Sequence, residues 1–372
     1  MTGLYIHVPF CSKKCHYCNF VIAAGEGAEG RGRFLEALER EASRRSSSVA
    51  GAFLETVYLG GGTPSLLDEG EIERLFGILR AHFHWAENAE VTCEANPGDI
   101  GPSKARLWKK LGVNRVSLGA QSFHDETLKA LNRTHSTQDT VDSFKTLREA
   151  GFDNISMDLI LSLPKESWPS AKVSLERLAA LGPEHVSLYE LAIEDKTVFG
   201  DLKKRGRLAL PDEDEQMESL SKARAFLKGA GYDHYELLSY AKEGRRSRHN
   251  LLYWKNEDTL GLGPGAYSYV SGRRTRHSES YRQYLEKVSA GDWAPIEDEA
   301  LAGEKKETES FLLALRLSEG APLERFSATA GRLDREIRGL SEKGLLESDG
   351  RRIRLTERGQ FLAETVFAEL SC

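Results

Sequence analysis

The sequence predicts an α/β protein built on a parallel sheet, with a smaller α+β module towards its C-terminal end. Three observations carry that expectation. Short apolar runs that fit buried strands alternate with helical patterns from residue 56 to residue 191, as βαβ units with right-handed crossovers require. A glycine-rich word, Gly60-Gly61-Gly62-Thr63-Pro64-Ser65, stands between one such strand and the next helix, where glycine lets a backbone come close to a ligand or make a tight turn. From Glu304 onwards the alternation stops, and helical patterns lead into a charged hairpin.

Composition limits the function classes. The chain has 372 residues, 40% hydrophobic and 29% charged, with a formal net charge of -6. Such a chain is expected to be a soluble globular protein of two or three domains, and its charge provides no general field for nucleic acid. No specific nucleic-acid partner is expected. No signal-peptide pattern opens the sequence and no window reaches about twenty apolar residues, so a cytoplasmic protein without a transmembrane segment is expected. Peripheral contact with a membrane surface stays open. Three of the five cysteines are crowded together, which suits a reducing compartment where thiolates serve metal. Cys93 reads as a small buried hydrophobe, and Cys372 as a residue without a role.

In order, residues 4–8 read as a strand that leads into the cysteine loop. Residues 31–46 carry Phe34, Leu35, Leu38 and Ala42 on one helical face. Strands are expected at 56–59, 90–94, 115–119, 155–160 and 185–191, with helices at 68–82, 103–111, 125–131, 136–150 and 168–181. Residues 233–238 offer a sixth strand to the series counted from Thr56. The pattern leaves open whether the sheet closes, stays open or forms a partial barrel. Residues 241–249 read as a basic loop and 260–269 as a glycine-rich one. Helices at 308–317, 323–330 and 333–343, a hairpin turning at Asp349-Gly350 and a helix at 359–370 resemble a winged-helix module. We expect it to cap or dock partners. The expected domains are therefore 1–240, a connecting segment 241–303, and 304–372.

Cys11, Cys15 and Cys18 form a C-x-x-x-C-x-x-C pattern. A closed zinc site usually takes four protein ligands, and iron–sulfur clusters are normally held by four cysteines. Here no fourth cysteine is near: Phe20 stands two positions beyond Cys18, and the next cysteine is Cys93. A cluster held this way keeps one iron open to an exchangeable ligand. A structural zinc loop and free thiols are the alternatives; a disulfide is disfavoured by the odd number.

The cysteine pattern resembles that of the radical S-adenosylmethionine (SAM) proteins. Tyr5-Ile6-His7-Val8-Pro9-Phe10-Cys11 and Cys15-His16-Tyr17-Cys18 are similar to the branch that contains oxygen-independent coproporphyrinogen-III oxidase and the HemW-type heme chaperones. The resemblance implies a partial (β/α)6 barrel with its site at the carboxyl ends of the strands. It implies a 4Fe–4S cluster on Cys11, Cys15 and Cys18 with SAM on the open iron. By the same resemblance Tyr5 and Tyr17 flank SAM, and Gly61, Gly62 and Thr63 contact it. Glu94, Gln121, Arg133 and Asp158 match SAM-binding positions, and Ala192 matches a backbone contact. On the residues alone, Asp158 sits in an apolar run and needs a partner, which a structural hydrogen bond would supply as well as a ligand. His7 and His16 read as makers of local hydrogen bonds.

A second word, His249-Asn250-Leu251-Leu252-Tyr253-Trp254, resembles the H-N-x-x-Y-W motif that HemW-type proteins carry and that is associated with heme. Imidazole ligates heme iron and aromatic rings pack on porphyrin faces, while Arg245, Arg246 and Arg248 suit propionates. The other reading is a solvated basic loop with Tyr253 and Trp254 as core anchors. Two departures argue against coproporphyrinogen decarboxylation: Phe20 replaces the oxidase's further cysteine, and only ten residues precede Cys11. The function expected is a heme chaperone with no assigned catalytic residue, in which SAM cleavage stays within the family's chemistry. Its partners would be a heme-acceptor protein and an electron donor of flavodoxin or ferredoxin type. The alternatives are the oxidase itself, in porphyrin biosynthesis, and an iron–sulfur regulatory module without heme.

Overall fold

The computed structural model describes residues 1–371. Cys372 lies outside the described residues. At the centre is one twelve-stranded sheet, whose middle runs in the order Asp258–Leu262, Thr2–Val8, Phe53–Gly61, His84–Ala95, Arg115–Gln121, Ile155–Leu161, His185–Glu190. All of these neighbours pair in parallel. Helical crossovers join the successive strands from Thr2–Val8 to His185–Glu190, among them Ala28–Arg45, Glu69–His82, Pro102–Leu111, Thr137–Glu149 and Trp168–Leu181. Six consecutive residues of Arg115–Gln121 are buried, as a strand covered on both faces must be. Helix starts follow local chemistry: Asp68 and Glu71 form a capping box at Glu69–His82.

The sheet does not close. Its edges are Glu297–Ala300 and Asp233–Glu236, so the architecture is a partial barrel of six parallel βα units from Thr2–Val8 to His185–Glu190, extended on both sides. Two expectations need correction. The sixth strand of the series is Thr2–Val8, which inserts between Asp258–Leu262 and Phe53–Gly61. Residues 233–238 instead begin a hairpin: Asp233–Glu236 turns through two residues into Ser239–Ala241, which pairs antiparallel with His185–Glu190. A two-residue connection reverses the chain and cannot make a parallel neighbour. The region read as a basic loop also contains a short helix, Arg248–Trp254.

Residues beyond 303 form a winged-helix-like unit with its own core of Phe311, Phe326, Leu340 and Val366. Helices Gly303–Ala314, Leu323–Arg332 and Asp334–Glu342 precede a small sheet in which Arg352–Leu355 pairs with both Ala321–Pro322 and Leu346–Ser348. The helix expected at 359–370 is broken at Leu362, with φ -99° and ψ 29° between Glu357–Phe361 and Ala363–Leu370.

Candidate functional site

The cysteine loop leaves Thr2–Val8 at the carboxyl edge of the sheet and is held by its neighbours rather than by regular structure of its own. Phe10–Cys11 pairs with Ala23–Ala24. The His16 N–H donates to Leu131 O at 3.1 Å, and Phe199 N–H donates to His16 O at 3.0 Å. His7 and His16 make the local bonds expected of them: His7 Nε2 donates to Val21 O at 2.7 Å, and His16 Nδ1 donates to Ala130 O at 2.9 Å. The glycine word closes over the loop. Gly62 N–H donates to Val8 O at 2.8 Å, and a Cβ at Gly62 would lie 2.6 Å from Phe10 O. Gly61 has φ +105°, and a Cβ there would meet the His7 ring at 2.6 Å. Both positions require glycine.

Above this edge opens a cavity of about 390 Å³. Cys11, Cys15 and Cys18 line it together with Tyr17, Gly61, Gly62, Thr63, Glu94, Gln121, Arg133, Asp158 and Ala192. Residues from five strands and the loops around them thus meet in one place, separated by up to 181 positions in sequence from Cys11 to Ala192. Tyr5 is the exception among the residues named for SAM. It does not line the cavity; its hydroxyl bonds His7 Nδ1 at 3.1 Å and its ring leans towards Tyr58.

Polar groups face the cavity with few partners. Glu94 accepts from the Tyr58 hydroxyl at 2.8 Å and from Gly61 N–H at 3.1 Å. Burial nevertheless pushes its carboxyl up to about 7. Asp158 accepts from Ser117 Oγ at 3.2 Å, and burial raises its carboxyl too. The Arg133 guanidinium reaches Gly119 O at 2.9 Å, Cys15 Sγ at 3.6 Å and the Asn96 side chain, while its Nε has no partner. Glu190 Oε1, also on the cavity, has none either. Gln121 adopts φ 64° at the end of its strand, a left-handed conformation that costs a non-glycine residue energy and is found where surroundings enforce it. Burial pushes the Cys11 thiol up to about 11 and raises that of Cys18. A bound metal's positive charge would reverse that order and favour the thiolates.

The second word lies elsewhere. Helix Arg248–Trp254 sits beneath the amino ends of the strands, away from the cysteines. Glu90 accepts the N–H groups of Arg248 and His249, each at 3.0 Å, and Ser247 caps the helix through Asn250 N–H at 3.4 Å. His249 is 1% exposed, and both ring nitrogens are engaged, Nδ1 with Thr56 Oγ1 at 2.7 Å and Nε2 with the Tyr253 hydroxyl at 3.0 Å. Its imidazole therefore points into the barrel. Tyr253 is 37% exposed, Asn250 is half-buried, and Trp254 packs under Arg316 at 4.3 Å.

Sequence reasoning overlooked Tyr58, Ser117, Asn96, Tyr189 and Glu190. One signal was available for two of them. Strand residues two apart share a face, so Tyr58 shares the face of Gly60, and Ser117 that of Gly119.

Three cysteines on a loop after the first strand line one cavity at the carboxyl edge of a partial barrel, beside buried carboxylates, an arrangement suited to a cysteine-held metal centre with a small molecule next to it. The radical SAM superfamily model matches residues 5–188, and the HemN C-terminal domain model matches residues 303–362. Full-length relatives narrow the class. The heme chaperone HemW of Bacillus subtilis is 34% identical over 99% of this chain and 98% of its own. That of Mycobacterium tuberculosis is 36% identical over 99% and 94%, and that of Escherichia coli 35% over 90% and 88%. The chain belongs to the HemW family of the radical SAM superfamily. Its fold matches the solved coproporphyrinogen III oxidase HemN of Escherichia coli with a TM-score of 0.87, at 24% identity over 100% of this chain and 90% of that one.

The superfamily's cofactors are a 4Fe–4S cluster and SAM, and the cavity fits both. Its donor set offers three thiols, and its carboxylates, Glu94 and Asp158, complement the sulfonium and ammonium charges of SAM. The unpartnered Arg133 Nε and Glu190 Oε1 leave hydrogen-bonding capacity for a polar ligand. No helix among the described residues is long and apolar enough to cross a membrane.

Proposed function

We propose that this protein is a heme chaperone that holds a 4Fe–4S cluster on Cys11, Cys15 and Cys18, binds SAM in the adjoining cavity, and passes heme to an acceptor protein. The observation that carries the reading is the near full-length similarity to proteins named heme chaperone HemW, together with Phe20 where a further cluster-loop cysteine would mark the oxidase. Phe20 is 67% exposed on the cavity rim. When bound, the cluster and SAM together supply one-electron reductive chemistry.

The protein's own residues orient and shield. In this reading Gly61, Gly62 and Thr63 admit the amino-acid portion of SAM, with Tyr17 beside it. Glu94, Gln121, Arg133 and Asp158 take its polar groups, and Ala192 offers backbone. Tyr5 acts from behind the wall. Asn250, Tyr253 and Trp254 present the heme-facing surface of the floor helix. In this reading the barrel series runs to about residue 240, residues 241–303 follow it as a segment whose strands, Asp258–Leu262 to Glu297–Ala300, join the same sheet, and the C-terminal unit begins after 303. Its partners would be a flavodoxin- or ferredoxin-type protein in the cytoplasm as the source of electrons and a heme-acceptor protein as the recipient of heme.

The test is a spectroscopic heme titration of anaerobically reconstituted protein, paired with iron and acid-labile sulfide analysis. The reading expects stoichiometric heme, a 4Fe–4S cluster, and no coproporphyrinogen decarboxylation. The variant with Cys11, Cys15 and Cys18 all replaced by alanine loses the cluster. One zinc with no sulfide, or robust decarboxylation, would overturn it.

A further inference from the structure

A continuous column of rings joins the floor helix to the cavity wall. Tyr253 meets His249 edge-on at 5.1 Å, with its hydroxyl 3.0 Å from Nε2. His249 stacks on Tyr58 at 5.0 Å and 28°, and Tyr5 leans on both, at 6.1 Å from Tyr58 and 6.4 Å from His249. The Tyr58 hydroxyl then donates to Glu94 Oε1 at 2.8 Å, while Gly61 N–H holds Oε2. Glycines make room for the column. A Cβ on Gly60 would lie 2.8 Å from the Tyr58 ring and 2.9 Å from Glu94 Oε1, and one on Gly3 would lie 2.6 Å from Leu252 and 3.3 Å from the His249 ring. The base is fixed in turn by Thr56 on Nδ1 and by Glu90, which binds the backbone of the helix at Arg248 and His249.

We propose that Tyr58 is a positioning residue for the Glu94 carboxylate and that His249 is its backing, so that this histidine serves the SAM cavity and not the iron of heme. The proposal rests on the SAM reading above. Physically, a carboxylate that must meet a cationic ligand has to hold its two oxygens still without being neutralised by a fixed cation. A phenol and a backbone N–H do this, because both donate and neither is charged. Stacking from below then removes the rotational freedom that a tyrosine would otherwise keep. A histidine with both nitrogens engaged and 1% exposure is built for that task and has no free electron pair for iron.

SAM titration calorimetry on the full-length, anaerobically reconstituted protein tests this, with iron and sulfide measured in every sample. Tyr58→Phe keeps the ring and removes only the hydroxyl; it weakens SAM binding about tenfold, as the loss of one hydrogen bond to a charged acceptor should. The same substitution moves the pH midpoint of SAM binding upward, since Glu94 loses a donor while Asp158 and Arg115, the charged groups that also act on it, stay in place. A merely structural loosening would not move that midpoint. His249→Gln removes the stacked ring, weakens SAM binding and leaves heme stoichiometry unchanged. Unchanged SAM affinity in both variants at full cluster content would overturn the proposal. So would loss of heme with intact SAM binding in His249→Gln. Wild-type protein that binds no SAM would instead sink the reading beneath it.

Discussion

Glu94 shows how a single group reads its surroundings. Its folded carboxyl titrates near 7 against an ordinary 4.5, chiefly because burial disfavours the charge and Asp158 adds to the effect, while Tyr58 and Gly61 oppose it. The sign follows. The folded state holds the Glu94 proton more tightly than the unfolded one, so this residue's contribution to stability falls as pH rises from about 4.5 to about 7 in the ligand-free protein. Cationic SAM pulls in the other direction, since it favours the ionised carboxylate. SAM binding should therefore tighten between pH 6 and pH 8 and release up to about one proton, measurable by calorimetry in buffers of different ionisation enthalpy. Glu94→Gln should weaken that pH dependence to what Asp158, whose carboxyl burial also raises, contributes. Gly62→Ala makes a second residue-scale prediction. A methyl 2.6 Å from Phe10 O and 2.7 Å from Pro9 C must push the cysteine loop aside. Cluster content should fall, and stability should drop by about 1–3 kcal/mol in denaturant unfolding.

At the scale of elements, helix Arg248–Trp254 is the informative case. Seven residues make a helix too short to stand alone in water, and the arginines in front of it conceal its start. What holds it is remote: Glu90, at 6% exposure, caps it from strand His84–Ala95. Removing that carboxylate leaves two N–H groups without partners. Glu90→Ala should cost about 1–3 kcal/mol, read by denaturant unfolding, and should weaken SAM binding if the helix buttresses the cavity. Longer helices behaved differently. Trp168–Leu181 and Pro102–Leu111 were legible within a residue because their periodicity and their glycine stops, Gly182 and Gly112 in left-handed conformation, are local signals. Residues 233–238 were misplaced because an apolar run does not reveal its neighbour's direction.

Across the whole molecule, the C-terminal unit is joined to the barrel beside that same helix. Leu237 N–H donates to Arg316 O at 3.0 Å and Ser318 N–H to Tyr235 O at 3.1 Å, while Leu237 packs into the C-terminal core. The Arg316 guanidinium lies over Trp254 at 4.3 Å and within 5.7 Å of Phe367. A partly desolvated cation over indole contributes about 1–2 kcal/mol. Arg316→Ala should lower stability by that amount and change the Trp254 fluorescence, with cluster content unchanged.

By itself the sequence determined the cysteine loop, the glycine word and the alternation that makes a parallel sheet, because each depends on spacing along the chain or on what glycine alone permits. The resemblance added Tyr17, Gly61, Gly62, Thr63, Glu94, Gln121, Arg133, Asp158 and Ala192, and these do converge on the cavity. Only the tertiary structure decided which side chains share a wall, that Tyr5 stands behind it, and that His249 faces inward. Those are matters of depth and partner, and depth is set by residues such as Glu90 and Tyr58, whose distance from His249 is short in space and long in sequence.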